Sequence, residues 1–496
     1  MEHALLFIIL GACGAFFMAF NNGSNDVANA FGSAIGSKAL KMKTAVFIAS
    51  IVTFSGAMLL GGRVATKLIS GLVPPSTFND PREYMIAMIT VMLASGIFVL
   101  ISTLTALPVS SSQAIVGGLT GISIMLGGWE SVNWDEIVWI LSGWVISPLL
   151  AGVLAFSLCK LIEGIIIGKR PGAMERVKRW LPVIVTTTIC GGVFALFTIT
   201  SLKSSIGIDA GKSFFGLSRM QHENRLISDL DSLQYAVFKI KHAAENAKIE
   251  AREHKDLKKS AEEINKLADS IGKYSEQFYY KAAEREPALL YAERWQVFIF
   301  VLLLYFPLYI QVRKLIHRWL KHLDEHLGIQ QAFRNLQVGT SCYVAFAIGS
   351  NDVANSISPL LAIVIVARAG GIPETFGGGM PFWILVLGGF GMAAGISLLG
   401  YKVMRTLGEG LTEINNSRGF CIDFSVATSV VGASACGIPV STTHAATGAV
   451  VGSGLSKGWK SVKFGMLGKI AVGWLVTIPF SCIMTIVLFK LFSLIL

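Results

Sequence analysis

The chain has 496 residues, 53% of them hydrophobic and 15% charged, with a mean hydropathy of +0.61. Such values exclude a soluble globular protein. The net charge of +11 does not point to nucleic acid, because outside one segment the basic residues gather in short loops between apolar runs.

A membrane-crossing helix needs about 20 mostly apolar residues. In chain order the candidate runs are 4–20, 44–61, 84–106, 134–168, 181–202, 296–312, 336–366, 381–401 and 463–496. The first has no Lys or Arg before it and no clean cleavage site after it, so it is read as a retained span rather than a leader. Abundant glycine (51 residues) suits closely packed membrane helices. The cysteines all fall in apolar stretches without a Cys-x-x-Cys pair, and are expected to be small, buried and unpaired.

Residues 203–294 differ from everything around them, with 16 basic and 15 acidic side chains. From Phe214 to Glu286 no proline occurs, and apolar residues recur at helical spacing, as in Leu226, Leu230, Leu233, Val237 and Ile240. A small soluble helical insertion is expected here, its charges forming a solvated face. The organisation predicted is a first membrane repeat over 1–168, a connecting helix in 169–202, the insertion at 203–294, a connecting helix and basic segment in 295–334, and a second repeat over 335–496.

The two repeats are visible as paired motifs. Asn-Gly-Ser-Asn-Asp-Val-Ala-Asn-Ala at 22–30 returns as Ile-Gly-Ser-Asn-Asp-Val-Ala-Asn-Ser at 348–356, and Leu-Pro-Val-Ser-Ser-Ser-Gln-Ala at 107–114 as Ile-Pro-Val-Ser-Thr-Thr-His-Ala at 438–445. Gly-Trp pairs follow in both copies, at 143–144 and 473–474. Basic loops at Lys38–Lys43, Lys169–Arg179, Arg313–Lys321 and Lys457–Lys463 all fall inside if both termini lie outside, and the halves then run in opposite directions. The fold class expected is therefore an all-α polytopic membrane protein. It is an inverted-repeat transporter of about 12 membrane segments, broken helices or helical hairpins among them, with the insertion on the outer face.

Asp26 and Asp352 are carboxylates within apolar stretches, and such charges mark ion or substrate paths. Gly-Ser-Asn-Asp reads as a helix break at which Asn or Asp caps a half-helix. With Asn22, Asn25, Asn29, Asn351 and Asn355, the two aspartates offer hard oxygen ligands suited to Na⁺, and no Cys/His cluster competes for a softer metal. The second motif pair is predicted to start half-helices, with proline in the first turn. Free N–H groups and hydroxyls there make an anion site from Ser110, Ser111, Ser112 and Gln113 in one copy, and Ser441, Thr442, Thr443 and His444 in the other. His444 could donate to the anion or titrate near neutral pH. A hydrolase reading of Ser441 and His444 lacks any nucleophile elbow. A sulfate permease or a membrane sensor remains a rival from these residues alone.

Together the GSNDVAN blocks, PVSSSQA and PVSTTHA resemble the inorganic phosphate transporter family across nearly the whole chain outside 203–294. Ser417-Arg418-Gly419-Phe420 leading to Asp423, and the stretch from Trp144 to Leu150, are similar as well. The resemblance implies a sodium- or proton-coupled phosphate symporter of the cell membrane, no cofactor beyond the transported cation, and a homodimer. Where many relatives carry Glu in the second span this chain has Thr53, and its polar insertion stands where relatives have a short outer loop.

Overall fold

The computed structural model describes residues 4–72, 78, 80–167, 172–202, 266, 293–321, 324–372, 380–410, 412–435 and 440–495. The expected insertion at 203–294 therefore lies outside the described residues, apart from Lys266 and the start of one helix. Every long element among the described residues is a helix: α1 (Ala4–Gly36), α2 (Met42–Leu72), α3 (Pro81–Leu104), α4 (Ser111–Gly127), α5 (Trp134–Leu161), α6 (Ala173–Leu202), α7 (Glu293–Leu320), α8 (Glu325–Ala369), α9 (Phe382–Leu399), α10 (Tyr401–Gly410), α11 (Asn416–Ala435), α12 (Thr442–Leu455) and α13 (Phe464–Ile495). Among the described residues, seven apolar segments, in α1, α2, α3, α5, α8, α9 and α13, are long enough to cross a membrane, and α4 is a shorter apolar helix.

The chain divides into two compact units, one formed by Met1–Leu196, Val301–Phe376 and Met380–Leu496, the other by Phe197–Phe300 with Gly377–Gly379. In the first unit the packing is reciprocal between the sequence repeats. Helix α1 packs on α9 as α8 packs on α2, and α4 packs on α13 as α12 packs on α5. Each half thus completes the other, and a large apolar core runs through both. A satellite core joins the end of α5 and the first turns of α11 to Val177 and Leu181 of α6, Ile316 of α7 and Phe333 of α8.

Glycines set the closeness of these contacts. A Cβ on Gly349 would fall 2.0 Å from the Thr53 carbonyl oxygen, and one on Gly23 would fall 2.1 Å from that of Met392. Gly117 and Gly121 of α4 lie against the backbone of Ile478 and Cys482, while Gly448 and Gly452 of α12 lie against Pro148 and Gly152. Both are small-xxx-small contacts that let backbones meet, and they are exchanged between the halves.

Two expectations are corrected. Gly-Ser-Asn-Asp does not break the chain: α1 and α8 run through it as continuous helices of 33 and 45 residues. Glycine in a helix costs only about 1 kcal/mol relative to alanine, and here it is what permits α1 to touch α9. Nor does proline stand in the first turn of α4, since Ser110 is the N-cap and Pro108 precedes it outside the helix. The cysteines also differ in part, for Cys13 is exposed on α1.

Candidate functional site

The site lies where the middles of α1 and α8 meet the starts of α4 and α12. Both starts are built alike. Ser110 and Ser441 hold extended backbone angles, and their hydroxyls accept from the N–H of Gln113 and His444. Each is an N-cap placed inside a buried region, so the remaining first-turn N–H groups and the positive helix end face protein rather than water.

Asn25 fixes the first of these starts. Its Nδ2 donates to Thr103 Oγ1 and to the Leu107 carbonyl, each at 3.1 Å, and its Oδ1 accepts from the Val109 N–H at 3.1 Å. Asn351 does the matching work for the second, donating to the Val440 carbonyl at 3.2 Å and to Asp352 at 2.8 Å. The next turn crosses between the halves. Asn29 donates to Thr442 at 3.4 Å and Thr443 at 3.0 Å, and Asn355 to Ser111 at 3.3 Å and Ser112 at 3.1 Å. Thr443 bonds the Val109 carbonyl at 2.9 Å, and Ser112 the Val440 carbonyl at 3.3 Å.

The aspartates close the arrangement. Asp352 accepts from Thr442 at 2.8 Å; Asp26 accepts from Ser111 at 3.2 Å and from Thr443 at 3.4 Å. The one Thr443 proton serves a single acceptor, and the Val109 oxygen is the nearer, so Asp26 has one firm donor. Neighbouring residues of α12 thus reach both carboxylates. Both are buried. Their side-chain partners are hydroxyl and amide groups, and no described lysine or arginine is paired with either. Buried negative charge without a counter-ion calls for a cation or a proton. Asn22, which donates to Ser356 at 3.0 Å, and Asn29 each keep a buried carbonyl oxygen without a donor, well suited to a cation.

Of the residues singled out in sequence, Asn22, Asn25, Asp26, Asn29, Asn351, Asp352, Asn355, Ser110, Ser111, Ser112, Ser441, Thr442 and Thr443 come together. The side chain of His444 does not join them. Its ring lies on Trp474, with centroids 3.8 Å apart, and its Nδ1 is 3.1 Å from the Trp144 carbonyl. Gln113 is buried, and its Oε1 has no partner.

A second polar cluster was not legible as a cluster. Asp423 of α11 accepts from Ser33 of α1 at 2.5 Å and from Ser341 of α8 at 2.6 Å. Gln337 joins them, donating to Ser33 and accepting from Ser37. A signal was available: Ser33 stands seven residues after Asp26, two turns along one face of α1. Arg418 is buried nearby in sequence, but its guanidinium bonds the carbonyls of Glu413 and Ser453.

With this geometry in hand, similarity to known proteins decides the family. Residues 22–485 match the Phosphate transporter family. The chain belongs to that family. A candidate phosphate permease of Pyrococcus furiosus is 30% identical over 98% of this chain and 95% of its own length. One from Haemophilus influenzae is 30% identical over 96% of this chain and 94% of its own. A solved structure described as the sodium-dependent phosphate transporter superimposes with a TM-score of 0.70 at 30% identity, covering 99% of this chain and all of that one. As a family member with several apolar helices long enough to cross a membrane, the chain is a polytopic transporter of phosphate.

Proposed function

We propose that the chain is a secondary symporter that imports inorganic phosphate together with sodium across the cell membrane. The observation that carries this reading is the reciprocal site, in which two buried, uncompensated aspartates meet two serine-capped helix starts. Carboxylate and amide oxygens of Asp26, Asp352, Asn22 and Asn29 take the cations. The first-turn N–H groups and hydroxyls of α4 and α12, with Ser111, Ser112, Thr442 and Thr443, take the tetrahedral anion. Each charge makes room for the other: a bound cation offsets the aspartates, and the net charge of the loaded site falls enough to leave water. Asp423 with Ser33 and Ser341 offers a further oxygen-lined place on the cation's route.

The sodium assignment draws on the similarity to the sodium-dependent phosphate transporter and on the all-oxygen donor set. Alternating access follows from moving one half against the other about the shared site, on an inverted repeat of about twelve segments with both termini outside. The exchanged packing of the halves supports that plan. We take the working form to be a homodimer, as the family resemblance implies.

Uptake of labelled phosphate into proteoliposomes tests the proposal. An inward sodium gradient should drive accumulation, while replacement of sodium by choline or potassium should abolish it, with or without a proton gradient. Uptake that follows the proton gradient and ignores sodium would overturn the sodium assignment. Sulfate should not compete.

A further inference from the structure

The two helix starts occupy matching places, yet they are anchored differently. His444 is the third residue of α12, and Gln113 holds the same place in α4. The His444 Nδ1 stands 3.1 Å from the carbonyl oxygen of Trp144, three turns into α5. A carbonyl can only accept, so Nδ1 carries the hydrogen and donates. That oxygen is available for a reason written in the sequence. Four residues further on, inside the helix, is Pro148, whose nitrogen has no hydrogen to return to it. In the second half the residue matching Trp144 is Trp474, and four residues after it comes Ile478, which has an N–H; the helix proline is displaced by one to Pro479. On that side Gln113 leaves its Oε1 without a partner.

The imidazole also lies against Trp474 and meets Trp144 edge-on. Its ring centroid is 3.8 Å from that of Trp474 and 6.4 Å from that of Trp144, so one tryptophan from each half encloses it. One turn on, Gly448 rests against the backbone of Pro148. The proline that frees the oxygen is thus also the surface on which α12 lies.

We propose that His444 is a positioning residue, a clip that pins the first turn of α12 to α5 through the carbonyl released by Pro148. It holds Thr442 and Thr443 in register with Asp352 and Asp26. This rests on the reading of that turn as part of the phosphate site. The first turn of α4 has no such clip, so the halves are chemically repeated but mechanically unequal. Glycine packing seats both starts, α4 on α13 and α12 on α5, and the His444 bond ties that of α12 further to α5.

The test is sodium-driven phosphate uptake by the full-length protein in proteoliposomes, with KM and maximal rate measured for wild type, H444N, H444L, P148A and P148A/H444L. Asparagine keeps an N–H near the place of Nδ1, whereas leucine fills the volume without a donor. Loss of one hydrogen bond corresponds to about a fivefold change. H444L should therefore raise the phosphate KM about fivefold with little change in maximal rate, and H444N should retain the wild-type KM. P148A returns a competing N–H to the Trp144 oxygen and should raise KM in the same direction. The double variant should be no worse than H444L, since both changes break one contact. A wild-type KM in H444L, equal impairment of H444N and H444L, or additive costs in the double variant would overturn the clip. If H444L does not fold, H444N and P148A still decide: an impaired H444N or a wild-type KM in P148A overturns it. Absence of phosphate uptake by the wild type would instead overturn the phosphate reading, so the two failures are separable.

Discussion

Two glycines ten residues apart on α8 should respond to the same substitution with opposite sign. At Gly349 an added Cβ would sit 2.0 Å from the Thr53 carbonyl oxygen and 2.9 Å from its carbon, both in the backbone of α2. Backbone cannot swing aside as a side chain can, so α8 and α2 must separate by roughly 1 Å to restore ordinary contact. Overpacking of this kind costs about 1–3 kcal/mol. At Gly339 the added Cβ meets nothing within 4 Å, and the change gains the helical preference of alanine, about 1 kcal/mol. Gly349→Ala and Gly339→Ala should therefore differ in stability by about 2 kcal/mol or more. The assay is thermal loss of the monodisperse peak on fluorescence-detected size exclusion in detergent. G339A should match or exceed wild type, and G349A should melt earlier. Asp352 lies three residues beyond Gly349 on the same helix, so G349A should also lower phosphate uptake in the protein that survives. Equal melting of the two variants would refute the inferred backbone contact between α8 and α2.

Thr442→Val removes the hydroxyl that donates to Asp352 at 2.8 Å, a bond to a charged group worth about 1.5–3 kcal/mol; it should shift the sodium dependence of uptake more than Ser111→Ala, whose bond to Asp26 is 3.2 Å. Asp423→Asn should keep the fold, because the amide oxygen still accepts from one of Ser33 and Ser341, while reducing sodium-dependent uptake several-fold; wild-type uptake would remove Asp423 from the cation's route. In a cysteine-free background, Lys38→Cys and Lys457→Cys, both at exposed positions, should react with an impermeant thiol reagent only from the inner face. Labelling of the two from opposite faces would contradict the inverted topology.

The site was legible because duplication writes it twice. Asp26 and Asp352 stood out as carboxylates in apolar stretches, and the Ser/Thr-rich motifs stood out as helix starts, since N-capping is a local property of hydroxyl residues beside the first turn. What stayed hidden were the long-range exchanges. Sequence gives no hint that Asn29 reaches Thr443 of the other half, or that Ser112 bonds Val440. The reading of Gly-Ser-Asn-Asp as a break failed for a physical reason. Local propensity marks Gly23 and Gly349 as breakers, but the packing of α1 on α9 and α8 on α2 needs a residue without Cβ at those positions and holds the helices continuous. His444 was assigned to the anion from its place beside Thr443; only the freed oxygen four residues before Pro148 shows why its ring turns toward α5. The Asp423 cluster draws one residue each from α1, α8 and α11 for its closest bonds, and no single motif contains it.

The most direct measurement is sodium-gradient-driven phosphate uptake into proteoliposomes by wild type, Asp26→Asn and Asp352→Asn at matched protein density. Asparagine keeps the size and one acceptor oxygen of each aspartate but removes its charge. With both carboxylates serving the coupled cations, each variant should lose most sodium-driven accumulation while folding as wild type does on size exclusion. Wild-type uptake with unchanged sodium dependence in either variant would contradict the account.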